Sequence, residues 1–218
     1  MKIHFKNKAF LDLALTHKSW VNENKGTRES NERIEYLGDA ILEFVVSKYL
    51  FAKFPDKPEG FLTALRANLV NTRNLSEVAM KLDLGNNLFL SKGEEDGGGR
   101  TNPSLLADTV EAVIGALYLD QGLTAVKKFI QANLLVDLDQ KLKEPLKDPK
   151  SRLQEMIQAK GYPAPKYTVT SEVGPDHDKQ FTIQVDAGGI IAQGEGASKA
   201  IAQQNAAEAA LVKLGENH

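Results

Sequence analysis

The sequence predicts two domains of different class: an all-α N-terminal domain over residues 1–143 and a C-terminal α+β domain of order α-β-β-β-α over 149–216, joined by a linker at 144–148. Three observations carry this. Up to residue 143 the apolar residues recur at helical spacing, with no sustained alternation. Lys143-Glu144-Pro145-Leu146-Lys147-Asp148-Pro149-Lys150 is charged and holds two prolines, the composition of a boundary. Beyond it, three alternating segments, Lys166–Glu172, Gln180–Asp186 and Ile190–Gly194, are separated by Gly174-Pro175 and Gly188-Gly189.

The first helix is predicted over residues 8–20, with Phe10, Leu11, Leu13, Ala14 and Leu15 apolar. His17 lies near its end. No acid or nucleophile stands beside it in sequence, so packing or hydrogen bonding is expected rather than proton transfer. Residues 21–31 are a polar loop. The next helix begins with Asn31-Glu32-Arg33-Ile34-Glu35-Tyr36-Leu37-Gly38-Asp39-Ala40 and runs to Phe54, where Pro55 and Pro58 stop it. One or two helices follow over 60–82, then a connector with Gly85, then a flexible loop from Lys92 to Arg100. That loop has three consecutive glycines but lacks the Lys-Ser/Thr of a nucleotide-binding loop. Helices over 104–119 and 123–143 complete the domain. In the second domain a helix spans about 149–160, and an alanine-rich helix spans about 198–214.

The chemistry concentrates on two helices. Glu32, Glu35 and Asp39 fall within an arc of about 60° on a helix. Continuing their stripe leads to Leu42, Val46 and Leu50, so the acids stand at the mouth of an apolar surface. Residues 104–119 repeat the pattern: Asp108 and Glu111 are the only charges on a helix otherwise apolar all round, which marks it as central. Ala112 and Gly115 continue the acidic side and would admit a close neighbour. One such helix alone is equally an amphipathic helix with a solvated acidic face. Two together, with no Lys or Arg on the same stripes, favour a divalent-cation site. Oxygen-only ligands suit hard ions such as Mg²⁺ or Mn²⁺. Two carboxylates about 5 Å apart repel by roughly 3 kcal/mol at an effective dielectric of about 20, so a cluster needs a cation or protons.

Composition sets outer limits. The 218 residues include no cysteine, which excludes disulfides, thiolate metal sites and cysteine catalysis and fits a reducing cytoplasm. No apolar run reaches membrane-spanning length, and the N-terminus lacks a secretion signal, so no membrane association is expected. Net charge is −2: seven Lys and Arg stand against nine Asp and Glu after residue 147, with twenty of each before it. Neither half has the basic excess usual in nucleic-acid binders, so an RNA ligand must be argued from motifs.

Asn31–Ala40 closely resembles the signature of the ribonuclease III family, and Leu106–Ala112 resembles its second acidic motif. Ala14–Trp20, Glu59–Thr63, Leu65–Asn71 and Gly115–Asp120 are similar to further family segments, in the expected order and over essentially the whole chain. The C-terminal segment resembles a double-stranded RNA-binding domain. The resemblance implies an endoribonuclease specific for double-stranded RNA. It would use Mg²⁺, with Mn²⁺ able to substitute, act as a cytoplasmic homodimer on rRNA and mRNA precursors, and leave 5′-phosphate and 3′-hydroxyl ends. It assigns Glu35, Asp108 and Glu111 as metal ligands, with Asp39 and Glu111 catalytic. Glu32 and Glu59 become supporting acids, although Glu59 taken alone reads equally as an early-turn acid facing a helix dipole. Tyr36 takes the place of an aromatic, usually Phe, that packs across the dimer interface.

For RNA binding the resemblance points to three places. Ser151, Gln154, Glu155 and Gln158 share one helix face, which suits a shallow minor groove and is equally a merely soluble face. His177 lies in the turn after the first strand. Ser198 and Lys199 open the last helix, where free N–H groups and a lysine suit phosphate. Relatives carry several basic residues at this last place, whereas this chain continues Ala200-Ile201, so weak and salt-sensitive binding is expected. Two rivals remain: a non-catalytic double-stranded-RNA-binding protein on the same fold, and an all-helical metal-dependent nucleotide hydrolase or prenyl-type synthase. The second leaves the C-terminal pattern without a role.

Overall fold

The structure, a computed structural model, describes residues 3–136, 138–142, 148–175 and 179–215. The chain divides into two compact units, Met1–Leu146 and Lys147–His218.

The first unit is helical: α1 Lys8–Ala14, α2 Lys18–Glu23, α3 Glu32–Lys53, α4 Glu59–Leu69, α5 Thr72–Lys81, α6 Lys92–Asp96, α7 Pro103–Asn133 and α8 Leu138–Lys141. The single helix predicted over 8–20 is two. Leu15–His17 leaves the helical path because Phe89 takes its backbone: Phe89 N–H donates to Leu15 O (2.9 Å) and His17 N–H to Phe89 O (3.1 Å). His17 then caps α2, its side chain accepting from Ser19 N–H. Polar side chains cap the helix starts that follow. Asn71 accepts from Asn74 N–H and separates α4 from α5, and Asn102 caps α7 ahead of Pro103.

Three further segments differ from expectation. The loop predicted from Lys92 to Arg100 contains α6, capped by Ser91, and a short 3₁₀ turn, Gly99–Thr101. Arg100 ties it down by donating to Glu95 (2.7 Å) and to the Gly85 and Leu88 carbonyls. The helices predicted over 104–119 and 123–143 are joined in α7 across a kink at Gly122, whose φ of 76° is a conformation that glycine adopts readily. The second of them stops at Asn133, which donates its side-chain amide to Phe129 O and so competes with the backbone ladder.

α7 is the central helix. Leu105, Leu106, Val110, Val113, Ile114 and Leu117 are all buried around its circumference, and Leu42, Val46 and Leu50 of α3 are buried against the same core. α3 and α7 cross at two glycines. A Cβ on Gly38 would lie 1.8 Å from Glu111 O, and one on Gly115 would lie 2.1 Å from Ile34 O. Gly115, predicted to admit a neighbour, therefore does so with backbone against backbone, and Gly38 does the same from α3. Among the described residues, no helix is long and apolar enough to cross a membrane.

The second unit runs α9 Pro149–Ala159, β1 Lys166–Val173, β2 Gln180–Ala187, β3 Ile190–Gly196 and α10 Lys199–Lys213. The strands form one antiparallel sheet in the order β1-β2-β3, with a bulge between Val169 and Ser171. Leu153 and Ile157 of α9, Ile183 and Val185 of β2, and Ala202, Ala206, Ala207, Ala210 and Leu211 of α10 make its core. The alanines let α10 lie close on the sheet, where a Cβ on Gly194 would meet Ala206 N at 2.1 Å. Asp148 caps α9 and Ser198 caps α10. This is the predicted α-β-β-β-α order.

Candidate metal centre and RNA-facing surface

Glu35 lies one turn into α3, and Asp108 and Glu111 lie three residues apart on α7. Because the glycine crossing brings these helices together, the three side chains each place a carboxylate oxygen within 4.8 Å of the others. Glu35 and Glu111 are half-buried and Asp108 is exposed. An adjoining pocket of about 200 Å³ is lined by His17, Lys18, Asn31, Glu32, Glu35, Leu105 and Asp108.

The electrostatics are those of an uncompensated cluster. Burial pushes the Glu111 carboxyl up to about 7, and the charges of Asp39, Asp108, Glu35 and Glu43 add to the rise. Burial also raises Glu35, reinforced by Asp108 and Glu32, with Lys18 opposing. Asp108, although much of its surface is exposed, is raised by partial desolvation of its carboxyl, with His17 and Lys18 pulling it back. A divalent cation among these oxygens would remove the same repulsion that protons otherwise relieve, and three hard oxygen donors with one side open suit Mg²⁺ or Mn²⁺.

The remaining acids divide. Asp39, exposed one turn beyond Glu35, is the first charge acting on Glu111 but lies outside the three-acid group. Glu32 also lies outside it. Glu32 accepts from Ser30 (3.0 Å) and pairs with Lys18 (3.4 Å), contacts that lower its carboxyl below the usual range. Glu59 sits in the first turn of α4 and accepts from Thr63 (2.8 Å), the geometry of the early-turn reading. Tyr36 is 81% exposed on α3.

Two residues acquire a place that sequence reasoning missed. In sequence His17 has no acid beside it, and the acidic stripes hold no Lys or Arg. Yet Lys18 lines the pocket, and His17 lies within electrostatic reach of Glu94, Glu32 and Asp108 while burial lowers its own pKa. The Leu15–His17 bridge to Phe89 carries both residues there, a long-range contact with no local signature.

In the second unit Ser151, Gln154, Glu155 and Gln158 are all exposed on α9. The Ser151 hydroxyl is engaged locally, donating to Asp148 at 2.7 Å. Ser198 spends its side chain on Ile201 N–H (3.2 Å), and Lys199 occupies the first turn of α10. His177 lies outside the described residues.

Comparison with known proteins agrees with this layout. Residues 7–138 match the family model described as Ribonuclease-III-like, and residues 149–214 match that of the double-stranded RNA binding motif. A Ribonuclease 3 of Bacillus licheniformis is 44% identical, covering 100% of this chain and 88% of its own length. A Ribonuclease 3 of a Geobacillus species is 47% identical, covering 97% of this chain and 87% of its own. Among solved structures, the nuclease domain of ribonuclease III from Campylobacter jejuni is 42% identical with a TM-score of 0.56, over 62% of this chain and 88% of that one. Helical nuclease unit, acidic centre and RNA-binding motif therefore occur together in one chain, which belongs to the ribonuclease III family of endoribonucleases.

Proposed function

We propose that this endoribonuclease cleaves double-stranded RNA by Mg²⁺-dependent in-line hydrolysis, with Mn²⁺ able to substitute, leaving 5′-phosphate and 3′-hydroxyl ends. The observation that carries this reading is the convergence of Glu35, Asp108 and Glu111 within 4.8 Å on two helices locked by a glycine crossing. The donor set fits the ion: three carboxylates, two of them half-buried, with Glu111 pushed up to about 7. When bound, Mg²⁺ supplies Lewis acidity, lowering the pKa of an attacking water and offsetting charge on the phosphate and the leaving oxygen.

The protein's own groups do the rest. Glu35, Asp108 and Glu111 would hold the ion, and α3 and α7 fix their spacing. Asp39, next to Glu111 in charge, is assigned as the remaining essential acid. Lys18 and His17 partly offset the negative field that an incoming polyanion meets. Glu32 orients Lys18 through their ion pair. Glu59 is assigned, on family membership alone, as an acid that supports the metal site without holding the ion.

RNA binding is assigned to the exposed face of α9, with Ser151, Gln154, Glu155 and Gln158, to His177 in the sequence between β1 and β2, and to Ser198 and Lys199. Homodimerisation through α3 belongs to the same reading. Tyr36, Phe44 and Phe51 are 81%, 53% and 75% exposed, an unusual apolar series for one solvated helix. A second Campylobacter nuclease-domain structure, 43% identical with a TM-score of 0.55, is described by its flexibility in a region involved in dimer formation. Precursors of rRNA and mRNA in the cytoplasm are the proposed substrates, on family membership alone.

The test is Asp39→Asn on a long RNA duplex with Mg²⁺. The expected outcome is no cutting with duplex binding retained, while the wild type yields ends that a 5′-phosphate-dependent exonuclease degrades. Undiminished cutting by Asp39→Asn would remove Asp39 from the mechanism.

A further inference from the structure

Lys199 is the only basic residue between Lys179 and Lys213. Both Lys179 and Lys199 meet one acid. Glu172, near the end of β1, places Oε1 3.0 Å from Lys179 Nζ and Oε2 3.6 Å from Lys199 Nζ. The sheet register builds this arrangement. Glu172 pairs across the sheet with Phe181, and Phe181 with Gly196, so a row leads from the acid to the N-terminus of α10. The Lys199 ammonium also stands 5.4 Å from the centre of the Phe181 ring. Each carboxylate oxygen thus meets one lysine, and one negative charge stands between two positive ones.

We propose that Glu172 acts as a built-in competitor for RNA phosphates: its carboxylate occupies Lys179 and Lys199, and a bound duplex must displace it to use both ammonium groups. The inference rests on the double-stranded-RNA reading of this unit. It adds a physical cause, beyond the small number of lysines, for the weak binding expected from the sequence. The side chains of Glu172 and Lys199 are 38% and 57% exposed, so exchange of carboxylate for phosphate needs no unfolding. Exposed ion pairs of this kind contribute little, so Glu172 attenuates binding and does not block it. Ser198 caps α10 by accepting from Ile201 N–H, so its side chain is already engaged beside the two ammonium groups.

The experiment compares full-length wild type, Glu172→Gln, Lys199→Gln and the double variant. Binding to a fluorescent RNA duplex is followed by anisotropy with Ca²⁺ in place of Mg²⁺, across a series of KCl concentrations. Glu172→Gln is expected to bind about two- to five-fold tighter at low salt. Its plot of log Kd against log salt should be steeper by up to about one, one more phosphate neutralised. Lys199→Gln should cost more in the Glu172→Gln background than in the wild type, because only there is the ammonium fully available. Glu172→Ala, which also removes the carboxylate from both lysines, should bind tighter as well and serves if Glu172→Gln misfolds by circular dichroism. Equal or weaker binding by a folded Glu172 variant would overturn the inference and make Glu172 a brace for its lysines. A gain that persists undiminished with Lys199→Gln would overturn it too, as an unspecific charge effect. If no form, wild type included, binds duplex at low salt, the RNA-binding reading itself fails and takes the inference with it.

Discussion

In Met1–Leu146, Glu35, Asp108 and Glu111 bring carboxylate oxygens within 4.8 Å of one another, and Glu111 is pushed up to about 7. In Lys147–His218, Glu172 stands between Lys179 and Lys199, and its carboxyl is drawn below the ordinary range by both. The first arrangement stores repulsion that an added cation relieves. The second spends its charges on one another, and an added anion must compete for them. The difference lies in what enforces each. Backbone-to-backbone packing at Gly38 and Gly115 holds the acids together against their repulsion. The lysines meet Glu172 through exposed ion pairs that the sheet register sets up, with no core packing to enforce them. A cluster held by the core is poised for its ligand, whereas a pair held by its own charges tunes affinity.

The sharpest way to break this comparison is to pry the helices apart. Gly38→Ala puts a Cβ where the Glu111 carbonyl now sits, so α3 and α7 must separate. The expected cost is about 1–3 kcal/mol or more in urea unfolding. Cleavage should fall more steeply than the folded fraction, because Glu35 moves away from its partners on α7. A Gly38→Ala protein with unchanged stability and rate would show that the crossing does not hold the cluster.

Removing residues 148–218 separates the two regions directly. Duplex binding should weaken at moderate salt while cutting persists at low salt, measured on the same substrate. Complete loss of cutting on every duplex at low salt would contradict the assignment of chemistry to the helical unit alone.

The smallest expected effect concerns protons. The folded carboxyl of Glu111 lies near 7 against an ordinary 4.5, so the metal-free folded state keeps a proton that the unfolded chain has released. That contribution is favourable below pH about 4.5 and is lost as pH rises to about 7; Glu35 and Asp108 act in the same direction. Mg²⁺ should therefore raise Tm more at about pH 8 than at about pH 5.5, by differential scanning fluorimetry. An equal Mg²⁺ effect at both would mean that ion and protons do not compete for the same oxygens.

Much of this was readable from the chain, for reasons that differ by residue. Asp108 and Glu111 stand out because the rest of residues 104–119 is apolar, and such a helix has nowhere to go but the core. The continuation of the Glu32, Glu35 and Asp39 stripe into Leu42, Val46 and Leu50 is local periodicity, and all three apolar residues are buried. Alternation and paired turn residues mark the three strands equally well. What local pattern could not supply is proximity between distant segments. The spacing placed Glu32 with Glu35, yet Lys18 draws Glu32 out of the three-acid group from another helix. The break at Leu15–His17 depends on Phe89. Residues 92–100 look mobile because of their glycines, but Arg100 reaching the Gly85 and Leu88 carbonyls fastens them. The pairing of Glu172 with Lys199 needs the sheet register, which no single strand reveals.

The most direct measurement compares wild type with Glu111→Gln on a long RNA duplex, first with Mg²⁺ and then with Ca²⁺. Only wild type with Mg²⁺ should cut, Glu111→Gln should lose about 10³-fold or more in rate, and both proteins should bind the duplex under all conditions. Binding by both with cutting by neither would contradict this, leaving an RNA-binding protein with an idle acidic cluster.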